Sequence, residues 1–292
     1  MDIPVPILFL VLMLVGTFFL GYNDVQRKKY LNRGINDQVL LVVIQILGGG
    51  LLIPLLLIFG IPEIKQGFYA AFVGTIALNV ISQNLFIRAF KLSDASLIAP
   101  LRLIIPPLVI VTGFLFLGEI PTWEAALGIV VTVFGLWFLL FPDYRISLKL
   151  DRGVVYGLVG CVLWALSFPL DKQTVVTSSA LFATTTVAIS VGVLTLIVNQ
   201  IRNKSFATQM ISALTADPKA FLSVSLTYTL GLAFRNEAFN YGLAAYASSL
   251  TRLSALWTVI LSGKMLQEKY VGKRLFATVL MFAGILLTVF LQ

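Results

Sequence analysis

Residues 89–119 read AFKLSDASLIAPLRLIIPPLVIVTGFLFLGE, and residues 238–268 read AFNYGLAAYASSLTRLSALWTVILSGKMLQE. The second stretch matches the first at an offset of 149 positions. Ala89/Ala238, Phe90/Phe239, Ala95/Ala244, Leu101/Leu250, Leu117/Leu266 and Glu119/Glu268 are identical pairs, and the register continues to Gly135/Gly284. Each copy is a short polar turn, an apolar run and a Gly-Glu or Gln-Glu stop. A unit met twice in one chain implies a duplicated module.

The solvent of that module follows from composition. The 292 residues are 59% hydrophobic and 12% charged, with a mean hydropathy of +0.96. A water-soluble domain of this size needs far more charge to cover its surface. An integral membrane protein is expected. The first apolar stretch, Pro4–Tyr22, has no basic segment before it and no small-residue cleavage site, so it reads as a spanning helix and not a signal peptide. The single cysteine, Cys161, allows no internal disulfide, and the absence of histidine removes the commonest metal ligand and neutral-pH base.

A spanning helix needs about 20 mostly apolar residues. Ten such runs can be placed, near 4–22, 38–59, 67–87, 95–117, 124–141, 153–170, 180–199, 220–236, 244–263 and 274–291. Short connectors suit an antiparallel bundle. The longest, Gln200–Lys219, has an apolar middle, Phe206–Leu214, suited to lying on the surface as an amphipathic turn or two. The polar stretch Pro142–Arg152 divides two units, 1–143 and 152–292.

Sixteen of the 21 Lys and Arg lie in connectors after odd-numbered runs; Lys65, Lys172 and Arg235 follow even-numbered ones, and Arg102 and Arg252 lie inside runs. Basic residues resist translocation, so the richer side is expected to be cytoplasmic and both termini non-cytoplasmic. The net charge of +8 is thereby a topology signal, and no nucleic-acid partner is needed to explain it. Five runs per unit is an odd number, so the second unit enters from the opposite side. Inverted repeats of this kind are a transporter signature.

The pattern Ala-Phe-Lys-Leu-Ser-Asp-Ala-Ser, an apolar helix with internal Pro, then Leu-Gly-Glu resembles the drug/metabolite transporter superfamily, and is most similar to its EamA-type ten-helix permeases. The second copy, ending Leu266-Gln267-Glu268, and the segment Trp164-Ala165-Leu166-Ser167-Phe168 before Lys172 fit the same pattern; Leu20-Gly21 through Lys28 is a degenerate first copy, with Asp24 where Phe is expected. The resemblance spans the whole chain. It implies an all-α membrane protein of ten helices, two inverted five-helix repeats packed three plus two around a central cavity. It also implies the bacterial inner membrane, no cofactor, and transport of amino acids, sugars, nucleotide derivatives or lipid-linked compounds.

Arg102 stands about eight residues into its run, roughly 12 Å deep at 1.5 Å per residue. Arg252 approaches from the other side. An arginine at such depth faces a wet cavity or a partner. If both face one cavity, the substrate bears a carboxylate or phosphate that accepts bidentate guanidinium bonds; otherwise each Arg binds buried carbonyls or a carboxylate. Asn79 and Gln83 share a helix face as glue between helices or as a binding edge. Trp164, Tyr228 and Tyr246 are candidate cavity aromatics, set against ordinary packing. Glu237, Asp24 and Asp171 are the proton-coupling or ion-pair candidates; Asp24 and Asp171 each stand at the end of an apolar run, where the alternative is a solvated helix end. Glu119 and Glu268 each precede the last helix of their unit, where a carboxylate would cap that helix start. Pro106 and Pro107 remove backbone donors and should bend their helix. Gly128/Gly135 and Ala277/Gly284 space small residues for close helix approach.

These residues favour a secondary transporter of a small anionic or zwitterionic metabolite, an exporter or exchanger acting as a monomer or weak homodimer among membrane lipids. A flippase for a lipid-linked phosphate or sugar is the alternative. An enzyme is disfavoured, since no His-Glu-x-x-His, Gly-x-Ser-x-Gly or Cys/His cluster is present.

Overall fold

The computed structural model describes residues 5–108, 123–140, 151–238 and 250–290, and among them it is helical throughout, with no strand. Its helices are α1 (Val5–Asn32), α2 (Asp37–Gly50), α3 (Ile53–Phe59), α4 (Phe68–Leu92), α5 (Ala95–Leu101), α6 (Trp123–Leu140), α7 (Arg152–Val176), α8 (Ala180–Arg202), α9 (Phe206–Ala216), α10 (Pro218–Ala238), α11 (Leu253–Leu266) and α12 (Val271–Phe290). Many starts have a side-chain cap. Asn36 Oδ1 accepts from Gln38 N at 2.9 Å, Asp151 from Gly153 N at 2.9 Å, and Ser179 Oγ from Phe182 N at 3.2 Å. The surface helix expected at 206–214 is α9, laid across α2, α8 and α10 by its buried Phe206.

The outward faces suit hydrocarbon. Ile7, Val11, Leu14 and Phe18 on α1, and Val155, Val159, Val162 and Leu166 on α7, are exposed at helical spacing. Such apolar stripes are a liability in water and a requirement in a bilayer. Four helical segments are long and apolar enough to cross one: Ile7–Asn32, Asp37–Phe59, Phe68–Leu92 and Ala180–Arg202. The bent pair Arg152–Ser167 and Pro169–Val176 makes a fifth if it is a single span. Ala95–Leu108, Ala126–Leu140 and Leu253–Leu266 are apolar but shorter within the described residues.

The run expected at 4–22 extends to Asn32. Its polar continuation is buried because α10 supplies partners. Asn23 Nδ2 donates to Val224 O at 2.6 Å and Thr227 Oγ1 at 3.1 Å, and Gln26 Nε2 donates to Ser223 Oγ at 2.9 Å. Pro106 and Pro107 act locally. Lacking N–H groups, they leave the Arg102 and Leu103 carbonyls without α-helical donors. The backbone tightens there into a 3-10 turn, Arg102–Ile104, in which Ile105 N donates to Arg102 O.

Helix pairing is its own image when the halves are exchanged. The prominent contacts α1·α10 and α4·α7 are one such pair, while α2·α8, α5·α11 and α6·α12 each join equivalent helices. The symmetry reaches individual residues. A Cβ on Gly135 would lie 2.6 Å from Met281 Cγ and 2.9 Å from Met281 N; one on Gly284 would lie 2.7 Å from Gly128 O and Thr132 N. Thr132 and Met281 are 149 positions apart. Gly16 meets Gly231 and Arg235 on α10, and Gly160 meets Ser82 and Phe86 on α4. Gly49 meets Ile189 on α8, and Gly192 meets Ile46 on α2. These last two glycine pairs are offset by 144 and 143 positions. The longer register elsewhere therefore reflects extra residues in the α8–α10 connector, the segment that holds α9.

The connectors sort to two ends. At one end Lys28 Nζ donates to Phe90 O at 2.9 Å, Lys91 pairs with Asp37 at 3.0 Å, Ser93 Oγ donates to Asp151 at 2.6 Å, and Arg274 pairs with Asp94 at 2.8 Å. At the other, Lys65 N donates to Thr177 O at 2.9 Å. So α1 ends where α7 begins, and the first helices of the two halves run in opposite directions.

Candidate functional site

Between the halves lies a cavity of about 1150 Å³, lined from α1, α2, α3, α4, α7, α8, α10 and the backbone around Arg102 and Arg252. At the end away from the basic connectors its lining reaches connector residues, among them Gly60, Pro62, Ser178 and Ser179. It stops short of the basic end, at Asp24, Arg27, Arg102 and Ser254. The basic end is sealed by the cross-connections already given and by Glu268. That carboxylate accepts from Ala95 N and Ser96 N, both at 2.9 Å, and from Ser96 Oγ. Glu268 therefore caps a helix start, but that of α5 in the other half. The expectation that it caps α12, the helix it precedes, is corrected. Arg274 of α12 lies 3.8 Å from Glu268 and donates to Ser96 Oγ at 2.6 Å, so the same cluster joins α12 to the α5 start.

Nine of the side chains singled out from sequence line this one cavity: Arg102, Arg252, Asn79, Gln83, Trp164, Tyr228, Glu237, Asp24 and Asp171. Tyr246 and Glu119 lie outside the described residues. Arg102, the deepest of the first unit, is ion-paired to Asp24. Asp24 is 2% exposed and also accepts from Thr258 Oγ1 at 3.3 Å. Its expected place at a solvated helix end is corrected, because α1 runs on past it. Asp171 is likewise inside α7 and not at a solvated end. It accepts from Asn79 Nδ2 at 3.2 Å and Ser167 Oγ at 3.0 Å. Trp164 Nε1 donates to Asn79 Oδ1 at 3.2 Å while its ring stacks on Phe86, centroids 4.3 Å apart. Asn79 thus joins α4 to α7 and lines the cavity.

Gln83 pairs with Gln45 of α2, and Gln45 Nε2 reaches Tyr228 Oη at 3.2 Å. Tyr228 also carries Arg27, whose guanidinium carbon is 5.1 Å from the ring centroid. Gln45 and Arg27 were not picked out from sequence. Gln45 had a signal, an amide inside an apolar run. Arg27 was hidden among the connector cations; its i, i+3 spacing from Asp24 on a continued helix was the clue. Arg252 immediately precedes α11. Arg252 and Arg27 both have a buried Nε with no hydrogen-bond partner among the described residues. Arg102 lies within electrostatic range of both. No group of three His, Cys, Asp or Glu with metal-ligand geometry occurs among the described residues.

The arrangement gathers polar and charged side chains in one cavity between the halves. It offers guanidinium donors together with amide, indole and carboxylate groups. Comparisons with known proteins agree with that architecture. A model of the EamA-like transporter family matches residues 7–141 and 151–290. No curated protein matches the sequence. A solved structure titled "Crystal structure of protein" is similar in fold, with a TM-score of 0.61 at 12% identity over 96% of this chain and 97% of that one.

Proposed function

Since this chain belongs to the EamA-like transporter family, and so is a multi-pass membrane transporter, we propose that it is a secondary transporter of a small polar metabolite bearing a carboxylate or phosphate. Ten spans in two inverted five-helix units, 1–143 and 152–292, would move the solute by alternating access. The supporting observation is the cavity itself, which is about 1150 Å³, is lined out to the connectors at one end, stops short of the basic connectors at the other, and includes Arg102 and Arg252. Small-molecule sites are of this order of size, and intramembrane arginines at a cavity are functional by default.

With the basic connectors on the cytoplasmic side of a bacterial inner membrane, both termini are outside and the described state is outward-open. The lining reaches connectors, which supports a solute entering from water over a lipid-linked one. The absence of an ATP-binding motif in the sequence assigns the energy to a gradient or to exchange.

The test is a thermal-shift screen of the purified protein against carboxylates, amino acids and phosphorylated metabolites, followed by counterflow in proteoliposomes. A ligand at 100 times its Kd stabilises by about 2.7 kcal/mol. Arg252→Ala should abolish both the shift and the counterflow. Normal counterflow by Arg252→Ala and by Arg102→Ala would end the proposal that the arginines bind substrate.

A further inference from the structure

The charges of the cavity are not evenly spread. Arg27, Arg102 and Arg252 line it with Arg102 within electrostatic range of the other two and Asp24 as the carboxylate among them, while a fourth guanidinium, Arg235, is in range of Arg252 and of Asp171. Asp24 is ion-paired to Arg102 and also lies within electrostatic range of Arg27, so one carboxylate is shared by two guanidiniums. The acid of the α7 wall, Asp171, is held by Asn79 and Ser167. Arg27 and Arg252 are left with buried Nε atoms that nothing described satisfies. Neither makes an ion pair among the described residues. Stacking on Tyr228 stabilises Arg27 but accepts none of its hydrogen bonds. A buried N–H left unbonded costs about 1–3 kcal/mol, and more in a charged group. Three guanidiniums against one carboxylate leave two positive charges uncompensated in this part of the cavity among the described residues, a place suited to an anionic ligand.

Resting on the transporter reading, we infer that the closed end is a site for a doubly negative head group, of which a phosphate monoester is the type. Arg27 and Arg252 are its ligands, and the Asp24-paired Arg102 is the fixed cation between them. Two uncompensated charges match a dianion. A single carboxylate would leave one guanidinium without a counter-ion. A tetrahedral phosphate has three terminal oxygens, enough to accept from two guanidinium forks at once. Near pH 8 a phosphate monoester is a dianion, its second pKa being about 6.

The test is calorimetry with the full chain in detergent at pH 8. The probes are glycerol 3-phosphate as dianion, dimethyl phosphate as monoanion, and alanine as zwitterion. Glycerol 3-phosphate should bind at least tenfold tighter than either of the others. Arg27→Gln and Arg252→Gln should each weaken it tenfold or more. Arg27→Lys, which keeps the charge and loses the fork, should fall between, and it also serves if Arg27→Gln does not fold. The dihexanoyl ester of glycerol 3-phosphate tests the source of the head group. Tighter binding of the ester assigns the site to a lipid, and tighter binding of the free phosphate to a solute; both support a dianion.

Alanine or dimethyl phosphate binding as tightly as glycerol 3-phosphate would overturn the inference. So would a wild-type protein that does not bind it at 10 mM, or an Arg27→Gln protein that binds it unchanged. Counterflow of alanine without counterflow of glycerol 3-phosphate would sink the dianion and leave the transporter standing.

Discussion

Asp24 and Arg102 come from helices of the first half that meet only because α1 continues ten residues beyond its apolar run. Their pair is mostly buried, with the side chains 4% and 15% exposed. Removing one partner of a buried pair leaves an uncompensated charge, at about 3–5 kcal/mol. Asp24→Asn should therefore lower the thermal midpoint more than Asp24→Asn combined with Arg102→Gln; equal or larger loss in the double variant would deny the pairing. Sequence made Arg102 legible, since a charge in an apolar run stands out. It hid Arg27 and the burial of Asp24, because a residue beyond an apolar run looks solvated until its partners on another helix are known. Asn79 shows the converse. Its face was readable from i, i+4 spacing, but its bonds to Trp164 and Asp171 required the packing of α4 on α7.

Caps and close approaches govern the elements. Glu268 satisfies the start of α5 across the halves. Glu268→Ala should cost about 0.5–2 kcal/mol, the usual range for a lost cap, read as a lower unfolding midpoint, while Glu268→Asp should recover part of it. The α6–α12 crossing gives a sharper contrast. A Cβ at Gly135 would lie 2.9 Å from a backbone nitrogen, whereas one at Gly272 meets nothing within 4 Å. Gly135→Ala should destabilise by about 1–3 kcal/mol through overpacking, and Gly272→Ala should be neutral or stabilising by about 0.5–1 kcal/mol. Equal midpoints for the two would refute the crossing. This contact was legible, because small residues seven apart on both helices announce it. The 3-10 turn at Arg102–Ile104 was half legible: prolines foretell missing donors, but which carbonyls adapt depends on the local backbone.

At the scale of the molecule, the repeat at 149 positions foretold two like units, and the tally of basic connectors foretold that they gather at one end. The direction in which the cavity opens was not legible, because both open states obey the same pattern of charge and hydrophobicity. Labelling will read it. In a Cys161→Ser background, Thr184→Cys at the cavity wall should react with an impermeant maleimide added outside the cell, while Ser96→Cys, buried at the sealed end, should not. Reaction of Thr184→Cys only from the cytoplasmic side would reverse the orientation.

One departure from symmetry bears on the balance between the two openings. The span from Asp37 to Phe59 is broken into α2 and α3, after Gly48, Gly49 and Gly50 and at Pro54, whereas its counterpart α8 runs unbroken from Ala180 to Arg202. No residue of α3 is buried. Perfect twins would make the two gateways isoenergetic and leave the empty carrier divided equally between them. A discontinuity present in one twin alone lifts that degeneracy, and on the alternating-access reading it biases the empty protein toward one of the two openings.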